Sequence, residues 1–261
     1  MGIDDFVKSA AEGDIEAVKR FIDAGGNPNA RDSHGSTALI AAAKKGRPAV
    51  AEFLLENGAD VDGEDSEFKG TALVWAALEG HTETVELLLD NGADINKTER
   101  KNGMPALILA AVKGHAETIG KLLEKGAAID SRDKHGRSAL MWAAHHGHTR
   151  AIDILIDKGA DMESVDNQFG MNALMSATAQ NQVGAIKILL DRGMQVNARM
   201  KDRRTALMMA ALMGHAEAVK LLLRRGAEVN ARDNRQDTAL SLAKSNGTEN
   251  VVEILEKAEA F

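Results

Sequence analysis

Residues 133–165 read DKHGRSALMWAAHHGHTRAIDILIDKGADMESV, and this stretch decides the fold. It contains two short segments that each have one apolar face. In the first, the apolar and small residues are spaced by one, three and four positions, as expected for one face of a helix: Ala139, Leu140, Ala143 and Ala144. Isolated helices shorter than roughly 12–15 residues barely form in water. The stretch therefore predicts a helix pair that must stack on copies of itself.

The second segment of this stretch has the same design. Ile152, Leu155 and Ile156 fall at positions i, i+3 and i+4, again on one helical face. Gly147 and Gly159 follow the two segments. Glycine readily adopts the positive φ with which helices commonly end, so we expect each helix to end at its glycine.

Copies of the stretch recur along the chain at intervals of 33 or 34 residues. The Ala-Leu pair occurs as Ala38-Leu39, Ala72-Leu73, Ala106-Leu107, Ala139-Leu140, Ala173-Leu174, Ala206-Leu207 and Ala239-Leu240. A second series, related to Gly-Ala-Asp, keeps the same register and begins at Gly58, Gly92, Gly126, Gly159 and Gly226. A fixed period of this length indicates a repeat protein.

These elements closely resemble those of the ankyrin repeat family, which carries Gly-x-Thr-Pro-Leu-His-x-Ala-Ala, Gly-His and Leu-Leu-x-x-Gly-Ala-Asp-Val-Asn. The resemblance implies an all-α fold, a solenoid of stacked helix-turn-helix units with projecting hairpin fingers, in a single domain over residues 1–261. The implied units are a cap repeat over 1–36, internal repeats over 37–70, 71–104, 105–137, 138–171, 172–204 and 205–237, and a second cap over 238–261. This chain has Ala where the family has Pro and mostly apolar residues where it has His. We therefore expect apolar packing instead of the family's Thr–His hydrogen bonds.

Composition excludes several classes of function. The 261 residues include no cysteine, so neither a disulfide framework nor a thiol nucleophile is expected. The net charge is −7, with 14 Lys and Arg against 23 Asp and Glu in residues 1–130 and 18 against 16 in residues 131–261. A nucleic-acid binder would normally be basic, and no apolar run approaches the roughly 20 residues of a membrane span. We expect a cytoplasmic monomer that binds neither nucleic acid nor membranes.

Catalytic and metal-binding motifs are also missing. The nearest approach to a phosphate-binding loop, residues 114–122, has five residues between its glycines instead of four, and Leu122 stands where Ser or Thr is needed. The only metal-like group is a histidine cluster made of His135, His145, His146 and His148. His148 occupies a position shared by other repeats, while His145 and His146 are adjacent and point in different directions on a helix. We expect no catalytic site, no bound metal and no cofactor.

The resemblance implies a concave groove lined by the fingers and by the exposed side of each first helix. Its positions form an unusually apolar stripe: Trp75, Leu78, Leu109, Val112, Trp142, His145, His146, Met209, Leu212 and Met213. Trp and Met are enriched at the centres of protein interfaces. The alternative is that the indole rings lie flat against neighbouring helices with only their edges exposed. A basic rim surrounds the stripe: Arg100, Lys101, Lys134, His135, Arg137, Lys201, Arg203 and Arg204.

Three fingers, residues 65–70, 99–103 and 166–170, each hold one extra residue. The insertions place Phe68 and Phe169 near fingertips, where either ring contacts a partner or folds back on the neighbouring finger. A later finger departs differently, since Met200 and Arg203 replace the usual Asp and Gly. That departure indicates either a specialised binding segment or a weaker stack whose sequence has drifted.

Together these features predict a non-catalytic protein–protein interaction module, acting as a scaffold, inhibitor or regulator. Its partner would be a protein or peptide held in the groove, and the basic rim favours a partner with acidic edges. The alternative function is a small-molecule, acyl-chain or metal-binding module that uses the residues around Trp142.

Overall fold

A computed structural model describes residues 1–259 of the chain, and this part contains sixteen α-helices in eight successive pairs. The first helices of the pairs are α1 (Ile3–Glu12), α3 (Ala38–Lys44), α5 (Ala72–Glu79), α7 (Ala106–Lys113), α9 (Ala139–His146), α11 (Ala173–Ala179), α13 (Ala206–Leu212) and α15 (Ala239–Ser245). The second helices are α2 (Ile15–Asp23), α4 (Pro48–Glu56), α6 (Thr82–Asp90), α8 (Ala116–Glu124), α10 (Thr149–Asp157), α12 (Val183–Asp191), α14 (Ala216–Arg224) and α16 (Glu249–Glu259). The all-α fold built from repeated helix pairs is thereby confirmed.

The helices belong to two compact units, Met1–Lys134 and His135–Phe261. Within each unit, every first helix packs on the first helix of the next repeat, and second helices pack on second helices in the same way. The boundary lies in the finger before α9. The single domain expected over residues 1–261 stays a prediction.

Six of the eight first helices, α3, α5, α9, α11, α13 and α15, begin at a residue whose side chain accepts a backbone hydrogen bond. The hydroxyl of Thr71 accepts from the N–H of Val74 at 3.3 Å, and the amide oxygen of Asn172 accepts from the N–H of Met175 at 3.0 Å. Such caps satisfy donors that the first turn of a helix leaves unpaired. The leucines of the Ala-Leu pairs from Leu39 to Leu207 are at most 2% exposed and form the core, whereas Leu240 in the last repeat is half-buried. Burying one leucine side chain contributes roughly 1.5–3 kcal/mol.

Glycine is the C-cap of four of the eight first helices, α1, α5, α7 and α9, as predicted for the last of these. Gly147 has φ +74° and donates its N–H to the carbonyl of Ala144. Asn181, which stands where other repeats have glycine, takes the same left-handed conformation at φ +53°. The second helix of the repeat that contains Gly147, α10, ends one residue earlier than predicted. Lys158, not Gly159, is its C-cap, and Gly159 adopts φ +90° just beyond it.

A histidine brace links successive repeats within each unit. Nε2 of His81 lies 3.2 Å from the carbonyl oxygen of Lys44, and Nε2 of His115 lies 3.1 Å from that of Leu78. Each ring also lies beneath the glycine that ends the preceding first helix. A Cβ on Gly80 would lie 2.5 Å from Nδ1 of His115. The recurring Gly-His element is therefore structural, as expected.

The fingers are closed by their own carboxylates. Asp65 Oδ1 accepts from the N–H groups of Glu67 and Phe68 at 2.9 and 2.6 Å, and Asp166 Oδ1 accepts from those of Phe169 and Gly170 at 2.7 and 2.9 Å. Backbone hydrogen bonds of 2.7–3.2 Å also join neighbouring fingers, as in Ser66 N–H to Gly35 O, Arg100 N–H to Phe68 O and Lys201 N–H to Phe169 O. The fingertips of one unit thus lie side by side in chain order.

Most fingers turn through a residue with positive φ near the tip. The residues are Gly35, Lys69, Gly103, Gly136, Gly170, Arg203 and Gln236. A side chain with a Cβ costs roughly 1–2 kcal/mol in this left-handed conformation. Arg203, at φ +67°, carries this strain where four other fingers have glycine.

Candidate functional site

Trp75 projects from α5 toward its own finger and is held on three sides. Its indole Nε1–H donates to Asp65 Oδ2 at 2.8 Å. The ammonium of Lys44 lies 4.1 Å from the centre of the indole ring, within the range of a cation–π interaction. The ring of Phe68 meets the indole edge to face, with centroids 5.7 Å apart. The indole is therefore fixed in position while it stays partly exposed.

The indole forms one wall of a cavity that we call the first cleft. Its volume is about 190 Å³, and its other lining residues are Phe68, Gly70, Val74, Leu78, Glu99, Lys101, Asn102 and Leu109. Phe68 is 38% exposed at the mouth of the cleft. The ring contacts Trp75, which lies on the helix that follows its own finger. This contact differs from both arrangements predicted for Phe68, contact with a partner and folding back on the neighbouring finger.

Trp142 occupies the corresponding position on α9 and has different neighbours. The guanidinium carbon of Arg137 lies 4.2 Å from the centre of the indole ring. The ring of His146 is nearly parallel to the indole, with centroids 5.8 Å apart, and that of His145 meets it edge to face at 5.6 Å. In both units a cation covers one face of the tryptophan, so the rings do not simply lie flat against helices.

A second cleft, of about 240 Å³, lies beside Trp142. It is lined by His135, Arg137, Met141, Trp142, His145, Asp166, Gln168, Phe169, Met171, Ser176, Ala179 and Gln180. Phe169 is 48% exposed at this cleft and comes from the finger that follows α9 and α10. In the first cleft the phenylalanine instead comes from the finger that precedes the tryptophan helix. Both clefts therefore combine a phenylalanine with a tryptophan. The phenylalanine finger precedes the tryptophan helix along the chain in the first cleft and follows it in the second.

The position of His145 in the second cleft changes the pKa of its imidazole. Burial lowers the pKa of its imidazole, and the positive charge of Arg137 lowers it further. Both effects disfavour the charged form, so His145 is predominantly neutral near pH 7. His145 therefore adds little positive charge to this cleft near pH 7.

The histidine cluster does not assemble a metal site. The rings of His145 and His146 lie edge to face with centroids 4.9 Å apart, and those of His146 and His148 are nearly parallel at 5.8 Å. In the part of the chain that the structure describes, no group of three or more His, Cys, Asp or Glu side chains is placed to hold a metal ion. The imidazoles instead contact one another and the indole of Trp142.

The apolar stripe is less exposed than the sequence suggested. Leu109 and Met209 are only 8% and 7% exposed, although Leu109 still lines the first cleft. Trp75, Leu78, Val112, Trp142, His145 and Leu212 are half-buried, while His146 and Met213 are exposed. Met209 is covered because α13 packs on both α11 and α15. Burial of Leu109 thus reduces the exposed apolar surface in the first unit, and burial of Met209 reduces it in the second.

The basic rim also divides into two kinds of residue. Arg100, Lys101, Lys134, His135, Lys201 and Arg203 are exposed on the fingers. Arg204 is half-buried, and its Nε lies 3.4 Å from Asp202 Oδ2 and 3.5 Å from Asp233 Oδ2. Burial raises the pKa of Asp233, but the backbone N–H groups of Asp237 and Arg235 and the charge of Arg204 outweigh it, so the net pKa lies below its ordinary value. Arg204 thus stabilises two fingers.

Sequence reasoning missed two residues that position Trp75. Lys44 ends the first helix of the preceding repeat, 31 residues before Trp75, and this separation is close to the repeat length. Asp65 accepts the indole N–H, whereas the sequence marks it only as the first residue of its finger. The register of the repeats could have pointed to Lys44, whereas the dual role of Asp65 depends on the rotamer of the indole.

Comparisons with known proteins agree with this architecture. The family model described as "Ankyrin repeats (3 copies)" matches residues 6–99, 96–166 and 161–233. Serine/threonine-protein kinase 12 of Arabidopsis thaliana is 48% identical over 56 residues, which are 22% of this chain and 12% of the kinase. Ankyrin repeat domain-containing protein 39 of Homo sapiens is 43% identical over 56 residues, 22% of this chain and 31% of that protein.

These two relatives share only a short segment with the chain, less than a third of their own lengths. The family model, in contrast, spans most of the sequence and follows the same repeats as the helix pairs. The matched repeats appear in the structure as helix pairs, joined by histidine braces and by carboxylate-closed fingers. The chain belongs to the ankyrin repeat family.

Proposed function

We propose that this chain is a non-catalytic protein-binding module that holds bulky side chains of a partner protein in the first and second clefts. Ankyrin repeats are generally protein–protein interaction modules, and their fold is typically non-catalytic. Within residues 1–259 no helix is long and apolar enough to cross a membrane. We place the module in the cytoplasm as a monomer that binds no nucleic acid, in keeping with its composition and charge.

The observation that carries the proposal is the pairing of an exposed phenylalanine with a fixed tryptophan in each unit. Phe68 and Phe169 are 38% and 48% exposed, yet both stand on fingers whose backbone is held by a carboxylate. Leaving an aromatic ring in water forgoes favourable burial of roughly 25 cal/mol per Å² of apolar surface. A partner side chain placed in the cleft against these aromatic rings would recover it.

The size of the clefts favours peptide side chains over free small molecules. Pockets for drug-sized ligands usually measure about 300–1,000 Å³, whereas these clefts measure about 190 and 240 Å³. Each has room for one bulky side chain. The volume of the second cleft therefore argues against the small-molecule or acyl-chain function considered for the residues around Trp142.

Charge indicates the kind of partner. Lys101 lines the first cleft, whereas the carboxylates of Asp65 and Glu99 already accept several hydrogen bonds each from the backbone of their fingers. The charge left to face a partner is therefore positive. A peptide or protein surface with acidic residues beside its apolar anchors complements it.

The test is affinity capture with matched variants, followed by quantitative mass spectrometry. Phe68→Ser combined with Phe169→Ser removes both exposed rings from the clefts and leaves the core intact. Ile3→Ser, which also replaces an exposed apolar residue (45% exposed), serves as control. We expect a set of proteins retained by the wild type and the control and lost by the double variant, with helical circular dichroism unchanged. Equal retention by the double variant would remove the clefts from consideration.

A further inference from the structure

Three fingertips of the second unit form a row that begins at Phe169, at the second cleft, and continues beyond it. The N–H of Lys201 donates to the carbonyl of Phe169 at 3.0 Å, and the N–H of Asn234 donates to that of Asp202 at 3.0 Å. These bonds place the fingers that carry Phe169, Arg203 and Arg235 side by side. We call these three residues the fingertip row.

Arg203 and Arg235 are exposed and uncommitted. Among residues 1–259, no side-chain hydrogen bond or ion pair involves the guanidinium of either residue. Other cations of the same fingers are engaged, since Arg199 donates to the carbonyl of Arg232 at 2.9 Å and Arg232 donates to that of Gln236 at 3.0 Å. The row therefore combines an exposed phenylalanine with two guanidinium groups that are available to an anion.

The acidic groups near the row are already occupied. Asp202 and Asp233 both face Arg204, at 3.4 and 3.5 Å from its Nε. Asp237 accepts the hydroxyl hydrogen bond of Ser241 at 3.0 Å. Met200 stands where other fingers carry their closing carboxylate, so this finger has one acid fewer. These arrangements leave a positive local field around Arg203 and Arg235.

The backbone of Arg203 supplies an independent indication. Its φ of +67° belongs to the left-handed region; glycine holds the corresponding turn in four other fingers, and Lys69 and Gln236 hold it in two. Glycine would adopt this conformation without strain. Strained residues cluster at binding sites, because strain persists where the side chain serves another purpose.

The first unit contains a related arrangement. The N–H of Arg100 donates to the carbonyl of Phe68 at 2.7 Å, so an exposed phenylalanine again adjoins a finger with exposed cations, Arg100 and Lys101. Here Glu67 stands next to the phenylalanine, whereas the second unit has the neutral Gln168 at that place. The second unit therefore offers the stronger anion site of the two.

We propose that the fingertip row binds an extended partner segment in which a carboxylate lies three residues from a bulky apolar side chain. This inference rests on the proposed function, because it specifies the partner segment for the same finger surface. Neighbouring repeats are separated by about 10 Å, the spacing of packed helices. An extended chain advances about 3.3 Å per residue, so three residues span that distance. The apolar side chain would contact Phe169, and the carboxylate would meet Arg203, while the positive charge of Arg235 on the next finger adds to the attraction.

The direct test uses a fluorescein-labelled peptide, GESGFSGEG, in which each glutamate lies three residues from the phenylalanine, so that either chain direction is accommodated. Its uncharged counterpart is GQSGFSGQG. Anisotropy titrations would compare the wild type with Arg203→Glu/Arg235→Glu and with Arg150→Glu/Arg224→Glu. The latter pair makes the same change in net charge at exposed arginines on second helices of the same unit. We expect the fingertip variant to bind the acidic peptide at least tenfold more weakly than the control variant.

Two further outcomes decide the proposal. Arg203→Gly should raise Tm because it removes the backbone strain. It should also weaken the binding of the acidic peptide because it removes the guanidinium. Equal binding of the two peptides, no binding of either, or equal loss in both arginine pairs would overturn the row. If the two peptides bind equally and Phe169→Ser abolishes this binding, the charge pairing is overturned, but the clefts remain the binding site. Partner capture that survives Phe68→Ser/Phe169→Ser would instead overturn the clefts.

Discussion

The indole Nε1–H of Trp75 donates to Asp65 Oδ2 at 2.8 Å, while the same carboxylate also accepts from the backbone N–H groups of its own finger. One side chain therefore sets both the shape of the finger and the orientation of the indole. The position of Phe68 depends on it as well, because the N–H of Phe68 is one of the donors, at 2.6 Å. The first cleft and the stability of its finger are thus coupled through Asp65.

This coupling predicts that Asp65→Ala is strongly destabilising for an exposed loop. The substitution leaves four N–H donors without their acceptor. Hydrogen bonds to a charged group contribute roughly 1.5–3 kcal/mol each, and new hydrogen bonds to water recover part of this loss. We expect a loss of about 2 kcal/mol in the free energy of unfolding by urea. Glu67→Ala, in the same finger but exposed, should change it by less than about 0.5 kcal/mol. Similar losses in both variants would contradict the role of Asp65.

The histidine brace predicts a difference between two glycines with the same backbone conformation. Gly80 has φ +78° and Gly92 has φ +85°, but only at Gly80 would a Cβ meet another residue, the ring of His115 at 2.5 Å. Alanine at either position costs roughly 1–2 kcal/mol of strain. We expect Gly80→Ala to cost at least about 1 kcal/mol more than Gly92→Ala, since His115 must move or lose its bond to Leu78.

The comparison is made by urea unfolding, and the double variant Gly80→Ala/His115→Ala completes it. Removing the ring should abolish the extra cost of the alanine, which would appear as coupling between the two sites. Additive effects of Gly80→Ala and His115→Ala would show that the ring does not depend on the glycine.

Two residues in left-handed conformations predict stabilising substitutions of different size. Arg203→Gly should raise the free energy of unfolding by up to about 1 kcal/mol, because relief of strain exceeds the added entropy of the unfolded chain. Asn181→Gly should gain less, since asparagine tolerates this conformation better. Thermal unfolding by circular dichroism checks both. A greater gain for Asn181→Gly would contradict this order.

His145 predicts a contribution to the pH dependence of stability. Its folded-state pKa lies below the unfolded value of about 6.5, so the unfolded chain binds more protons as pH falls. The stabilisation is complete above the unfolded pKa and declines as pH falls below it toward the folded pKa. We expect His145→Gln to reduce the loss of unfolding free energy between pH 7 and pH 5, measured by urea titration. His34→Gln, on an exposed fingertip loop, serves as control.

The sequence predicted the scaffold well because each structural requirement recurs. Ala-Leu pairs, terminal glycines and the Gly-His element repeat every 33 or 34 residues, so one repeat could be checked against its copies. Asn181 shows the strength of this approach. It stands where its siblings have glycine, and the structure places it at φ +53°.

The details of the clefts could not be predicted in the same way. The contact of Lys44 with Trp75 joins different repeats and depends on the rotamers of both side chains. Register placed Leu109 on the exposed side of its helix, yet neighbouring residues cover it until 8% remains exposed. Such outcomes arise from side chains that differ between repeats, so no sibling sequence reveals them.

The histidine brace has a consequence for how such a gene changes length. Each brace is made of a glycine turn from one repeat and an imidazole from the next, as with Gly80 and His115. A deletion that removed part of a repeat would strand one half of a brace and shift every later helix out of register. Removal or duplication of a whole 33- or 34-residue segment rejoins equivalent halves. Recombination between copies therefore leaves a foldable protein only when it exchanges complete repeats.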